Sequence, residues 1–266
     1  AIFQIVDAVR LRTLPVARPW ELARVRIVNM DGARGNRSSP YDPLNNPVFE
    51  QIRRQQEGFT DVAAWSSTSF NLADGGEMRL ARGLFVSGTF FDVLGLAPAA
   101  GRLISDADDK RGCAPRVILS HAFWTSQMGG DPRAIGRTLT LDSRQAEVIG
   151  VTPAGFSGLE VGRGFDVAVP LCAESVINSG NRLTSVTDWW LVAIGRLKPG
   201  WTLERATAQL HAISPGIFET TITPTYPAAS AALYKAFTLE AAPGDAGVSM
   251  LREAYEHPLW MLLAAA

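Results

Sequence analysis

A strand, helix, strand pattern that occurs once near each end of the chain, with a block of different texture between, most constrains the fold. In the first copy, residues 21–28 place Leu22, Val25 and Ile27 in imperfect alternation with arginines, which predicts a strand. Residues 31–43 are rich in glycine, serine and proline and predict a loop. Asn45-Asn46-Pro47 then supplies an N-cap and a first-turn proline, and Val48, Phe49, Ile52 and Phe59 follow at helical spacing toward Gly58. Residues 61–72 and 78–86 read as strands joined at Asp74-Gly75-Gly76, a hairpin signal. In the second copy, residues 189–197 form a long apolar strand turned by Pro199-Gly200. Thr202 caps a helix with Leu203, Ala206, Leu210 and Ile213 along one stripe, and residues 237–240 are the next strand. Two such units can pair into one split βαβ sheet, leaving the middle block as an insertion. The fold class is α+β with two lobes.

The middle block has its own punctuation. Ser87-Gly88-Thr89 opens a short helix over Phe90–Leu94, and Gly95 ends it by tolerating a left-handed conformation. Residues 116–119 are a strand, Ser120 caps a helix through Trp124, and Gly129-Gly130 stops that helix. Residues 136–151 read as two strands about Asp142-Ser143-Arg144, and a short strand over 166–171 follows a glycine-rich passage. Phe90, Phe91, Leu94 and Gly95 stand where the sheet meets the insertion. They are expected to act as an inter-lobe hinge or brace, the alternative being that the two phenylalanines only fill core.

No catalytic residue, cofactor or metal site is expected. The histidines, His121, His211 and His257, fall on separate helical segments. Gly155-Phe156-Ser157-Gly158-Leu159 resembles a nucleophile elbow only superficially, since its second glycine comes one residue early. Asp106, Asp108 and Asp109 lack the glycine and distal glutamate of an EF-hand loop and read as a solvated acidic loop. Gly158, Gly162 and Gly164 do not form a dinucleotide fingerprint, and no Walker A sequence is present. Trp65, Trp124, Trp189, Trp190 and Trp201 are expected in the core rather than as ligand platforms. A net charge of −1 offers no footprint for nucleic acid. Cys113 and Cys172 fit no zinc or CxxC pattern, which leaves one disulfide or two buried thiols.

Both ends are apolar, but neither run reaches the roughly 20 residues that span a bilayer. Asp7 and the absence of a basic leader set the first run apart from a signal peptide. The runs read either as stubs of membrane helices or as terminal helices on the domain's own core. In the first case residues 1–12 and 251–266 should lie together. Residues 10–20 mix arginines, prolines and Trp20, as a helix leaving a bilayer requires.

A series of blocks in order carries a family resemblance: Phe85-Val86-Ser87-Gly88-Thr89-Phe90-Phe91-Asp92-Val93-Leu94-Gly95, Pro98-Ala99-Ala100-Gly101-Arg102 and Val117-Ile118-Leu119-Ser120-His121-Ala122-Phe123-Trp124. Gly130-Asp131-Pro132, Ile135-Gly136-Arg137-Thr138-Leu139 and Val148-Ile149-Gly150-Val151-Thr152-Pro153-Ala154-Gly155-Phe156 continue it. Together they resemble the MacB-like periplasmic core domain of bacterial ABC-transporter permeases, of the acidobacterial FtsX/MacB-like type. The resemblance implies a porter-like subdomain in two parts, 20–94 and 169–249, and an inserted Sabre-like α/β lobe, 95–168. Residues 1–19 would then end a first transmembrane helix and its exit segment, and 250–266 would begin a second. It also implies a non-enzymatic domain on the periplasmic side of the inner membrane, anchored by flanking helices, which relays ATP-driven motion in export or mechanotransmission. Expected partners are a cytoplasmic ATPase domain or subunit, a periplasmic adaptor and a second permease unit. The alternative from another class is an extracytoplasmic ligand-binding or sensor domain of a membrane receptor.

Overall fold

The computed structural model describes residues 13–28, 30, 33–73 and 77–250. The expected adjacency of 1–12 and 251–266, the Asp74-Gly75-Gly76 turn and His257 lie outside the described residues.

The two strand, helix, strand units pair as their pattern predicts. Strand β1 (Leu22–Ile27) leads through the two-residue strand β2 (Asn36–Arg37) to helix α1 (Asn46–Gln55) and strand β3 (Phe59–Asn71). Asn45 caps α1, its Oδ1 accepting from the Val48 N–H at 2.9 Å. The helix stops at Gln55, short of the expected reach toward Gly58, and Phe59 belongs to β3. The Gln56 side chain accepts from the Phe59 N–H, so the turn between them is closed by a side chain and not by glycine. In the second unit, strand β11 (Val192–Leu197) precedes helix α5 (Leu203–Thr221), helix α6 (Ala228–Lys235) and strand β12 (Leu239–Pro243). The expected continuous strand over 189–197 is broken: Trp189 pairs with Arg37 in a separate ribbon as part of β10 (Asp188–Trp189), and Leu191 bridges Leu44. The order β12-β1-β11-β3, antiparallel throughout, is the split βαβ arrangement, with α1 packed on α5.

The sheet does not stop there. Strand β4 (Leu80–Val86) pairs with β3, and on its other side with β9 (Val167–Pro170). Beyond β9 come β6 (Arg116–Leu119), β8 (Arg144–Val151) and β5 (Ala100–Gly101), with β7 (Thr138–Leu141) on β8. The result is the expected mixed α+β fold on one ten-stranded sheet. Helix α2 (Phe90–Leu94) and helix α3 (His121–Met128), with its Ser120 cap, lie between β4 and β7 in the chain. Helix α4 (Glu174–Ile177) follows β9. Trp65, Trp189 and Trp190 are buried and Trp124 and Trp201 half-buried, all packed in the core.

The outer edge of the sheet is closed by side chains. On β12 the outward N–H groups are those of Leu239 and Ala241, and they donate to Ser214 Oγ at 2.9 Å and Thr207 Oγ1 at 3.0 Å from α5. The third outward position is Pro243, which has no N–H to offer.

The two cysteines form a disulfide, Cys113–Cys172, with Cα atoms 6.0 Å apart and 59 residues of separation. It encloses β6 to β9 in one covalent loop. Closing a loop of that length should contribute roughly 4 kcal/mol through the unfolded chain. The double variant Cys113→Ala/Cys172→Ala is therefore expected to lose stability of that order in urea unfolding. An unchanged midpoint would show that the bridge contributes nothing to the fold.

Candidate coupling junction

The parallel register of β4 on β9 decides what meets at the junction. Val86 lies opposite Pro170, so Gly88 and Cys172 stand side by side two residues past the last rung. The Asp109 carboxylate clamps them, Oδ2 accepting from the Gly88 N–H at 2.9 Å and Oδ1 from the Cys172 N–H at 2.8 Å. Gly88 is needed here, because a Cβ would stand 2.6 Å from the Asp106 Cα. Burial pushes the Asp109 carboxyl up to about 6 in spite of those two donors and of Arg53 nearby. Arg53, on α1, spans Asp61 of β3 and Asp106 at 3.3 Å each.

The acidic run is solvated only in part: Asp106 is exposed, whereas Asp108 and Asp109 are drawn into the fold. Asp108 is 2% exposed. Arg102 grips it with two nitrogens at 2.6 and 2.8 Å, Arg116 adds a further contact, and the Ser105 N–H and hydroxyl complete the shell. The Arg102 guanidinium, helped by Ser105 and Arg116, holds this carboxyl well below the usual carboxylate range. No spacing signal marks such a site, since its two arginines lie six residues before and eight after the carboxylate.

On the other side of the junction, Ser87 extends the β3–β4 ladder by one rung made with a side chain. Its N–H donates to the Ala64 carbonyl at 2.8 Å and its Oγ accepts from the Ala64 N–H at 3.0 Å. Helix α2 follows directly, with Phe90, Phe91 and Leu94 fully buried and the Phe90 ring 6.2 Å from that of Trp65. Gly95 ends it at φ +67°, its N–H bonded to the Asp92 carbonyl and that of Leu96 to Phe91, a Schellman-type stop.

Arg196 ties this helix end to the segment that leads into β1. Only 6% exposed, it donates from Nε to the Val93 carbonyl at 2.8 Å, from Nη2 to Ala17 O at 2.8 Å, and from Nη1 to Arg18 O at 3.0 Å and Glu21 Oε2 at 3.1 Å. Arg18 adopts a left-handed conformation, φ 45°, to present that carbonyl. The apolar run over 189–197 gave no sign of this role for its one arginine.

The remaining candidates stay apart. His121 packs edge-on against Trp124 on α3, and His211 lies on α5. Among the described residues no group of three or more His, Cys, Asp or Glu is placed to hold a metal ion.

Asp109 and Asp108 have opposite pH signatures. A carboxyl raised from 3.8 in the unfolded chain to about 6 in the fold stabilises the fold when protonated, and that contribution is lost as pH rises through about 6. Asp108, being depressed, contributes stability that is present above its unfolded pKa and lost as pH falls. In urea unfolding, Asp109→Asn should therefore gain on the parent chain by roughly 2–3 kcal/mol between about pH 4 and pH 7. A difference independent of pH would refute the buried-carboxyl assignment.

The fold as a whole is similar to that of known proteins. The extracellular domain of the noncanonic ABC-type transporter YknZ from Gram-positive bacteria superposes with a TM-score of 0.52 at 14% identity, covering 75% of this chain and 94% of that one. The periplasmic region of MacB from Actinobacillus actinomycetemcomitans gives 0.57 at 14%, covering 96% and 98%. No curated protein sequence matches. The family profile of the MacB-like periplasmic core domain matches residues 1–213 of the 266, and the chain belongs to that family.

Proposed function

We propose that this domain serves an ABC-transporter permease outside the cytoplasm, relaying ATP-driven motion of membrane helices to its far side and carrying out no chemistry of its own. The observation that carries the reading is the Arg196 node, which binds the segment 17–21 and the end of α2 into one hydrogen-bonded unit. A displacement of residues 17–21 is thereby delivered to the point where the chain enters residues 95–168. We divide the molecule there: a porter-like part from 20–94 and 169–249, and a Sabre-like part from 95–168. Phe90, Phe91, Leu94 and Gly95 act as the brace between them, because close-packed aromatic side chains transmit displacement without absorbing it. Asp109 and the disulfide tie the inserted part to Gly88 and Cys172, just past the C-terminal ends of β4 and β9.

In this reading the energy source is a cytoplasmic ATPase domain or subunit, and helices flanking the domain anchor it at the periplasmic face of the inner membrane. A periplasmic adaptor and pairing of two permease units complete the transporter.

The test is Arg196→Met in the full-length permease with its ATPase. Coupling energies between sites run about 1–3 kcal/mol, so transport should fall by roughly tenfold while ATP binding is retained. Circular dichroism and the thermal midpoint of the isolated chain separate uncoupling from unfolding. Normal transport by a folded Arg196→Met variant would remove the relay role of the node.

A further inference from the structure

Among the described residues an open slot lies along β3, and its position is fixed by register. Along β3, the Ser87 N–H donates to Ala64 O and the Leu72 N–H to Arg79 O, which sets the phase of the antiparallel ladder with β4. Residues 64, 66, 68, 70 and 72 bond toward β4, so the backbone groups of Trp65, Ser67, Ser69 and Asn71 point the other way. Trp65 lies opposite Val192, where β11 begins. Asn71 exchanges bonds with the turn at Asp142, its N–H donating to Asp142 Oδ1 at 2.8 Å and its carbonyl accepting from the Asp142 N–H at 2.9 Å. Between these two points the outward N–H and C=O of Ser67 and Ser69 meet no partner strand among the described residues. On β12, by contrast, every outward N–H is satisfied by a hydroxyl.

A cleft of about 400 Å³ opens onto this slot at Ser67. Its walls come from distant parts of the chain: the 38–41 loop and Val192 on one side, the turn at 160–163 on the other. At its floor the Glu160 side chain, 9% exposed, accepts from the Ser67 hydroxyl. Its second oxygen is only loosely compensated by Arg163, 3.6 Å away and half in solvent. Val161 and Met250 stand exposed on the rim. Beside the floor, in an adjoining small cavity, the buried Trp65 indole has an N–H with no acceptor among the described residues.

We propose that the slot is a docking site for an extended peptide segment bearing a basic side chain. The segment adds as a short strand on Ser67 and Ser69 in line with β11, and its ammonium or guanidinium replaces Arg163 on Glu160. Backbone pairing supplies affinity and the carboxylate supplies selectivity, the division of labour usual in strand addition. The occupant would touch both the β3 side and the 160–163 turn. The assignment is independent of the relay, since none of its groups belongs to the Arg196 node.

Amide exchange on the 266-residue chain tests this with acetyl-Val-Lys-Val-amide and acetyl-Val-Glu-Val-amide as probes. The Ser67 and Ser69 amides should exchange fast in the free chain and slow by at least about tenfold with the lysine peptide. Glu160→Gln should weaken that peptide by about tenfold and remove its advantage over the glutamate peptide. Ser69→Pro deletes an outward N–H without touching the β4 ladder, and should also cost about tenfold in affinity. If that variant misfolds, exchange in the unsubstituted chain still decides. Unchanged exchange of Ser67 and Ser69 at about 10 mM peptide, or equal binding of the two peptides, would overturn the proposal.

Discussion

Four rungs of parallel backbone pairing, Gly83 to Val86 against Val167 to Pro170, make two α/β halves into one sheet. Parallel strands cannot be joined by a tight turn, so the chain must travel away and come back in the same direction. Here the crossover is the whole block between β4 and β9. Such a crossover leaves at one end of the ladder and returns at the other, so the C-terminal ends of β4 and β9 lie together and Gly88 and Cys172 become neighbours. A closure this long is costly in chain entropy. One carboxylate with two N–H donors and one covalent bond offset it by tying the crossover back to the shared C-terminal end of the two strands.

The Arg196 node follows from a different necessity. A guanidinium taken out of water is destabilising unless its donors find acceptors. The acceptors here are three backbone carbonyls and one carboxylate, from two segments, 17–21 and α2, that no strand pairing joins to each other. Backbone carbonyls are a stricter partner than side chains, because moving one moves its segment. The same bonds that satisfy the charge therefore fix the position of residues 17–21 relative to α2.

Local rules carried the sequence reading a long way. Asn45, Ser120 and Thr202 each cap the helix their position predicts, because capping depends on residues only three apart. The twice-repeated strand, helix, strand pattern predicted the split βαβ sheet for the same reason. What remained hidden depends on distance in sequence. Cys113 finds Cys172 across 59 residues, and Asp109 finds Gly88 and Cys172 only after the parallel register exists. Asp108 read as solvated because acidic runs usually are, and its burial is produced by Arg102 and Arg116 folding over it. Arg196 read as one polar position in an apolar strand, and nothing local distinguishes such a residue from a solvent-facing one.

The closure of β12 bears on how copies of the domain tolerate crowding. An unpaired strand edge is a template on which a second molecule can polymerise. Thr207 and Ser214 withdraw that template by occupying the outward donors of Leu239 and Ala241, and Pro243 withdraws the last one. The protection is made by two hydroxyls that a threonine-to-valine or serine-to-alanine drift would erase with little change in shape. Freedom from fibrillar stacking along this edge is therefore carried by two atoms on the inner face of α5, and not by the charge of the surface.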